Sequence, residues 1–206
     1  MSRRAILAAM TGAIATIVAT TVFSVPARLV WNASASVPIG LYTLDPSRAP
    51  ALGDLVAVLP DQSLAQFLVR RGYIGAGVPL IKHVAALPGQ RVCRDGLSVS
   101  VDGVPLGDAL ERDRFGRPLP AWRGCIAIAA GQIFLMNPAV RDSLDGRYFG
   151  PIPARFIFGV VTALLTDEAG TGRFIWRAQT APPPPNSLSI SSSQPSKQKE
   201  YAHAHR

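Results

Sequence analysis

The sequence predicts a mostly β domain behind an N-terminal membrane-spanning helix. Glycine and proline number 18 each in 206 residues, and such frequent turn formers favour many short strands over long helices. Short apolar runs recur between these turns, and Asp102-Gly103 between two of them is a strong hairpin signal. One uncharged run, residues 5–25, is long enough for a membrane helix.

The uncharged run follows Arg3 and Arg4. As a helix rising about 1.5 Å per residue it would span roughly 30 Å, the thickness of a bilayer core. Basic residues before the run favour a cytoplasmic N-terminus. We therefore expect residues 1–4 in the cytoplasm, a transmembrane anchor at 5–25 and the rest across the membrane. A cleaved signal peptide is the alternative, because basic residues before an apolar run describe both.

A single folded domain is expected from residue 26 to residue 177. Apolar runs predict its strands at 40–44, 55–59, 78–86, 97–101, 104–106, 125–128, 132–136, 158–165 and 174–177, and a short helix at 63–71. Residues 107–124 are polar and irregular, which indicates an excursion from the sheet. Four consecutive prolines and a lack of apolar periodicity predict a disordered tail over 178–206.

The formal net charge of +8 comes from basic residues scattered along the chain. Nucleic-acid binding would need a stripe of Lys and Arg with interleaved aromatic residues, so we expect no nucleic-acid partner. Attraction to anionic lipid headgroups explains the net positive charge better than nucleic-acid binding does.

The two cysteines, Cys93 and Cys125, are too few and too far from any histidine for a zinc site. We expect no metal and no cofactor. A disulfide is the expectation if the domain lies outside the cytoplasm, and two buried free thiols are the alternative.

Ser34 and Ser36 follow the predicted anchor and precede Pro38, which biases Val37 away from helix. In an extended strand, residues two apart face the same way, so we expect both hydroxyls in one site. A serine-rich linker is the alternative interpretation.

Lys82 is the second candidate, because it shares a face of its predicted apolar strand with Leu80 and Val84. A lysine among apolar neighbours is unusual without a task or a partner. Burial lowers an amine pKa, so Lys82 could accept the Ser36 hydroxyl proton as a general base. His83 points the other way and is the alternative base.

Three blocks, in this order, resemble the bacterial type I signal peptidase family. They are Ser34-Ala35-Ser36-Val37-Pro38-Ile39-Gly40-Leu41-Tyr42, Lys82-His83-Val84-Ala85-Ala86-Leu87-Pro88-Gly89 and Ser143-Leu144-Asp145-Gly146-Arg147-Tyr148-Phe149-Gly150-Pro151. The compact form of the first block is most similar to the conjugative-transfer branch, the TraF-type peptidases. The resemblance implies a mostly antiparallel, barrel-like β fold with an apolar substrate groove.

By this resemblance Ser36 is the nucleophile and Lys82 the general base of a serine endopeptidase. Ser34 and the Ser36 backbone N–H would form the oxyanion hole. Supporting residues would be Ser143, which orients the lysine amine, and the ion pair of Asp145 with Arg147. Four features depart from the commoner family pattern: His83, Gln90, Gly146 and the pair Asn137-Pro138.

The implied substrate is a membrane-associated pilin precursor, cleaved and released by water or by its own amine as a cyclic product. The implied location is the bacterial inner membrane, single-pass, with the catalytic domain in the periplasm. Conjugative type IV secretion components are possible further partners. The alternatives are a general signal peptidase acting on secretory preproteins and a non-catalytic membrane-anchored scaffold.

Overall fold

The computed structural model describes residues 3–22 and 28–178. Helix α1 spans Arg3–Val22. No helix within the described residues is both long enough and apolar enough to cross a membrane. The predicted anchor at 5–25 is thus not confirmed, and its last three residues lie outside the described part. The predicted disordered tail also lies outside it from residue 179 onward.

The rest of the described chain is mostly β, and each of its strand ladders is antiparallel. The strands are β1 Leu29–Asn32, β2 Ile39–Asp45, β3 Leu55–Val58, β4 Leu80–Ala86, β5 Arg91–Asp95, β6 Ser98–Val101, β7 Val104–Asp108, β8 Gly124–Ala127, β9 Gln132–Leu135, β10 Ile152–Pro153, β11 Ile157–Asp167 and β12 Ile175–Trp176. Two further helices, α2 Gln62–Arg70 and α3 Gly146–Phe149, and a 3-10 turn at Ala154–Phe156 complete the described elements. The prediction of a mostly antiparallel β fold is confirmed.

The strands form two sheets. The larger has the order β1-β2-β11-β3-β4-β9-β10, with β12 added beside β11, and the smaller has the order β7-β6-β5-β8. Strand β4 lies between β3 and β9, with Lys82 opposite Val56 in the register. Buried apolar side chains pack in three clusters around these sheets. An interior strand of the larger sheet, β4, therefore carries the lysine into the protein interior.

Several elements were not predicted from the sequence. β1 and β5 are short and mix polar with apolar residues, and β10 has only two residues, so none of the three has a clear periodicity. Helix α3 lies between β9 and β10, where no helix was predicted, and the Asp145 side chain caps its first turn by accepting the Arg147 N–H. The predicted excursion is confirmed, since β7 ends at Asp108 and β8 begins at Gly124.

The segment that carries the two serines is a turn, so the expectation of an extended strand there is wrong. Residues 34–37 form bends and turns between β1 and β2, which pair with each other as a hairpin. The Asn32 side chain closes this turn by donating to the carbonyls of Val37 and Pro38. Beyond the turn, Gly40 has a φ of +150°, and a Cβ there would lie 2.2 Å from the Leu165 carbonyl oxygen. Glycine thus allows β11 to approach β2 closely.

Cys93 on β5 and Cys125 on β8 are direct partners in the smaller sheet and form a disulfide. Their Cα atoms are 4.0 Å apart, with a sequence separation of 32. The bond joins the two ends of the strand and loop segment that contains the excursion.

Candidate active site

The turn between β1 and β2 brings two hydroxyls together. Ser34 Oγ and Ser36 Oγ are 3.0 Å apart, and both side chains are half-buried. The buried side chain of Asn32 accepts two hydrogen bonds through its Oδ1. The backbone N–H of Ser34 donates one at 3.1 Å, and the Ser34 hydroxyl donates the other at 3.0 Å. The two serines predicted to share a site therefore meet through turn geometry and not through strand alternation.

Lys82 is buried, with 3% of its surface exposed, in the middle of the larger sheet. Its Nζ donates a hydrogen bond of 2.9 Å to Ser143 Oγ. Burial lowers the pKa of the Lys82 ammonium to about 8, although the nearby carboxylate of Asp145 acts in the opposite direction. A substantial fraction of this amine is therefore neutral at slightly alkaline pH.

His83 lies on the other face of β4. Its ring Nδ1 is 3.1 Å from the carbonyl oxygen of Gly53, and a carbonyl can only accept, so Nδ1 carries the proton. Burial lowers the pKa of the imidazole as well. His83 does not border the cleft that Lys82 and Ser36 share, which makes it a poor candidate for the base.

Asn137, which sequence reasoning noted only as a departure from the family pattern, connects the two candidate catalytic segments. Its Nδ2 donates to the carbonyl oxygen of Ser36 at 2.7 Å, and its Oδ1 accepts the backbone N–H of His83 at 2.9 Å. The first contact spans 101 residues of chain. Asn137 thus ties the serine turn to the lysine strand.

Asp145 and Arg147 form a bidentate ion pair, with Nε–Oδ1 and Nη2–Oδ2 distances of 2.9 Å each. Both side chains are almost completely buried. The guanidinium also donates to backbone carbonyls of the loop before α3, and the shortest of these bonds is 2.7 Å, to the carbonyl oxygen of Val140. The Asp145 carboxylate also accepts the backbone N–H of Asn137 at 3.0 Å. A buried ion pair needs such additional hydrogen bonds to offset desolvation, and here they hold the loop that carries Ser143.

Gly146, where a serine is commoner in the family, has a local explanation. A Cβ at this position would lie 2.5 Å from the ring of Phe134 and 2.7 Å from the carbonyl oxygen of Leu135. The space that a side chain would need is occupied by β9. The departure therefore reflects packing beneath the ion pair.

The candidate residues border one open cleft of about 180 Å³. Ser34, Ser36, Lys82 and Ser143 contribute its polar floor, and the excursion after β7 supplies one wall. Its apolar lining comes from eight side chains: Ala35, Leu68, Ile74, Leu80, Leu110, Leu119, Val140 and Leu144. Four further polar or charged side chains also border it: Tyr73, Asp113, Arg114 and Asp142. A concave site that combines apolar side chains with a few convergent polar groups is typical of a ligand-binding site. Within residues 3–22 and 28–178, no group of His, Cys, Asp or Glu is suited to hold a metal ion.

Comparisons with known proteins identify the family of this chain. Residues 2–166 match the sequence profile of the family described as signal peptidase, peptidase S26. The chain belongs to this family. That profile match covers all three sequence blocks, the turn, β4 and the loop before α3.

Within the peptidase S26 family, the similar curated proteins include several with a transfer function in their names. A probable conjugal transfer protein TraF from Sinorhizobium fredii (strain NBRC 101917 / NGR234) is 42% identical over 145 residues, which cover 66% of this chain and 76% of that protein. The conjugal transfer protein TraF from Agrobacterium tumefaciens (strain 15955) is 32% identical over 175 residues, covering 81% of this chain and 98% of that one. The predicted resemblance to TraF-type proteins is thus confirmed.

A solved signal peptidase I from Enterococcus faecalis V583 is 19% identical, and the match covers 56% of this chain and 98% of that one with a TM-score of 0.35. That score is too low to support an argument about the fold.

Proposed function

We propose that this chain is a serine endopeptidase in which Ser36 attacks a peptide carbonyl and Lys82 is the general base. The observation that carries the proposal is the buried Lys82 amine, hydrogen-bonded to Ser143 Oγ at 2.9 Å and bordering the same cleft as Ser36. A neutral amine has one lone pair and two N–H donors. With one N–H directed to Ser143, the lone pair remains free to accept the Ser36 hydroxyl proton.

The reaction begins when Ser36 Oγ bonds to the carbonyl carbon and its proton moves to Lys82 Nζ. The carbonyl oxygen becomes an oxyanion, which the Ser34 hydroxyl and the backbone N–H of Ser36 stabilise. The C–N bond then breaks, and the Lys82 ammonium returns the proton to the leaving amine. An acyl ester on Ser36 and a free amino group are the products of this half.

The second half resolves the ester with a nucleophile, whose proton Lys82 accepts as before. Water gives a carboxylate and frees Ser36. An amine of the substrate itself gives a new peptide bond and a cyclic product. Both routes use the same catalytic groups, so the cleft geometry is compatible with hydrolysis and with cyclisation. The mass of the product distinguishes the two routes.

We further propose that the substrate is a membrane-associated pilin precursor of a conjugation system. Relatives named conjugal transfer protein TraF support this choice over general secretory preproteins. A location at the inner membrane, with the domain in the periplasm, belongs to the same proposal. It rests on Arg3 and Arg4 before the uncharged residues 5–25. Ser36 follows that run so closely that it would stay within about 40 Å of the bilayer.

The test is mass spectrometry of a pilin precursor co-expressed with the full chain, with its Ser36→Ala variant or with neither. The proposal predicts a shortened pilin with the wild-type chain only, and a cyclic product would be one water lighter than the hydrolysed one. The comparator is a synthetic peptide that spans the cleavage site of a secretory preprotein, and it should remain uncut when incubated with the purified full chain. Processing that persists with Ser36→Ala would overturn the nucleophile, and cutting of both substrates would indicate a general signal peptidase.

A further inference from the structure

We propose that Asn32 is a positioning residue that orients the hydroxyl of Ser34 for binding the oxyanion. The inference rests on the proposed function and adds to it a residue outside the three sequence blocks. Asn32 is the last residue of β1 and is buried, with 6% of its surface exposed. It does not border the cleft, so it would act on the reaction through Ser34.

The orientation of the Asn32 amide is fixed by its surroundings. Nδ2 donates to the carbonyl oxygens of Ser34 at 2.8 Å, Val37 at 3.1 Å and Pro38 at 3.0 Å. If the amide were flipped, its oxygen would face three carbonyl oxygens, and none of these has a proton to donate to it. Oδ1 therefore points at Ser34.

The position of Oδ1 then determines where the Ser34 hydroxyl proton lies. Oδ1 accepts both the N–H and the Oγ–H of Ser34. A hydroxyl has one proton to donate, so the 3.0 Å contact between the two serines runs from the Ser36 hydroxyl to Ser34 Oγ. In this resting arrangement both hydroxyl protons have partners within the turn.

Substrate binding changes the partner of each proton. When Ser36 turns its proton to Lys82, Ser34 loses a donor and can rotate its own proton from Asn32 to the developing oxyanion. Throughout this exchange the Ser34 N–H bond to Asn32 keeps the hydroxyl carbon in place. Only the hydroxyl proton of Ser34 then has to move, because its carbon is already in position, and so the reorganisation needed to stabilise the transition state is small.

The loss of Oδ1 should lower kcat much more than it weakens substrate binding, because the oxyanion exists only in the transition state and the intermediate. We expect Asn32→Ala to lower kcat by about ten- to a hundredfold, less than or equal to the loss in Ser34→Ala, with little change in KM. The substrate is a synthetic peptide spanning the cleavage site that mass spectrometry locates in the pilin precursor.

The decisive experiment is a double-mutant cycle in the full chain with Asn32→Ala, Ser34→Ala and both. If Asn32 acts through the Ser34 hydroxyl, the double variant has the kcat of Ser34→Ala alone. If Asn32 only stabilises the turn, the two losses multiply, and the proposal is overturned. Rates are compared below the thermal midpoint of each variant.

A second variant keeps the test informative if Asn32→Ala does not fold. Asn32→Asp retains an oxygen acceptor for Ser34 but loses the donor to the three carbonyls. We expect a lower thermal midpoint, because the second carboxylate oxygen faces the three carbonyl oxygens, with a kcat below that of wild type but above that of Ser34→Ala. An Asp variant that folds but is as slow as Ser34→Ala would contradict the role of Oδ1.

Ser36→Ala separates this inference from the proposed function. If wild type and Ser36→Ala cut the peptide equally, or neither cuts it, the proposed function and the inference both fail. If Ser36→Ala alone is inactive but the cycle is multiplicative, only the role of Asn32 fails.

Discussion

Asn137 Nδ2 donates to the carbonyl oxygen of Ser36 at 2.7 Å, while Oδ1 of the same amide accepts the backbone N–H of His83 at 2.9 Å. One side chain thus fixes the backbone of the proposed nucleophile against the strand of the proposed base. Asn137 therefore helps to set the spacing between Ser36 and Lys82.

Removing that amide should lower both stability and turnover. Asn137→Ala leaves a buried backbone donor and a carbonyl without this partner, at a cost of about 1–3 kcal/mol in the free energy of unfolding. We expect kcat to fall at least about tenfold, because misplacement by a fraction of an ångström already slows a positioned reaction. Peptide cleavage and thermal unfolding measure the two effects.

Gln90→Ala is the matched control for Asn137→Ala. Gln90 also bridges two segments through its amide, accepting the Leu87 N–H and donating to Asp102, but outside the cleft. The Gln90→Ala variant should be less stable than wild type, with an unchanged kcat. A kcat loss in Gln90→Ala equal to that in Asn137→Ala would show that general destabilisation explains both.

The sequence revealed the residues whose type is unusual in its context and missed those whose role depends on distant contacts. Lys82 on an apolar strand is visible in a window of five residues. Asn32 and Asn137 are ordinary polar residues beside turns, and their significance arises from folding, since one Asn137 contact joins residues 101 positions apart. The strands with clear apolar runs were likewise predicted, while β1, β5 and α3 depend on pairing and capping that local periodicity does not encode.

Ser143 should position the Lys82 amine. Ser143→Ala removes the acceptor of the 2.9 Å bond from Nζ, so the amine can rotate away from Ser36. We expect kcat to fall by about ten- to a hundredfold at saturating peptide, with KM little changed. Ser98→Ala, an exposed serine on β6, is the control and should behave as wild type. Unaltered kcat in Ser143→Ala would remove this serine from the site.

The disulfide should stabilise the smaller sheet. Closing a segment with a sequence separation of 32 is worth about 3–4 kcal/mol in the chain-entropy model. The paired change of Cys93→Ala and Cys125→Ala should lower the thermal midpoint, and a reductant should lower that of wild type but not of the variant. Equal midpoints for oxidised wild type and the variant would contradict this stabilisation.

Lys82 should be irreplaceable by another cation. Lys82→Ala lacks a base, and Lys82→Arg keeps a guanidinium that stays protonated at any accessible pH. Both should fail to cut the peptide, as should Ser36→Ala, while all three retain a cooperative thermal transition. Cleavage at the wild-type rate by a folded Lys82→Arg protein would exclude lysine as the base.

The pH dependence of rate should follow the Lys82 amine. Burial lowers its pKa from 10.5 to about 8, and a base acts only when unprotonated. In wild type, kcat/KM should therefore rise with pH and level off above about 8. A flat profile from mildly acidic to alkaline pH, with chemistry rate-limiting, would contradict a lysine base.

The same pKa shift makes stability depend on pH, with a sign that can be worked out. Below the folded pKa of about 8 the amine is protonated in both states, and the folded protein bears the full cost of the buried charge. Between that value and 10.5 the unfolded chain binds more protons, so stability rises with pH until the cost, on the order of 3 kcal/mol, is gone. Lys82→Met keeps a similar length without the charge and should be inactive, yet at least as stable as wild type near neutral pH. Thermal midpoints of the two proteins against pH should converge towards alkaline pH, and parallel curves would show that Lys82 is not buried as a charge.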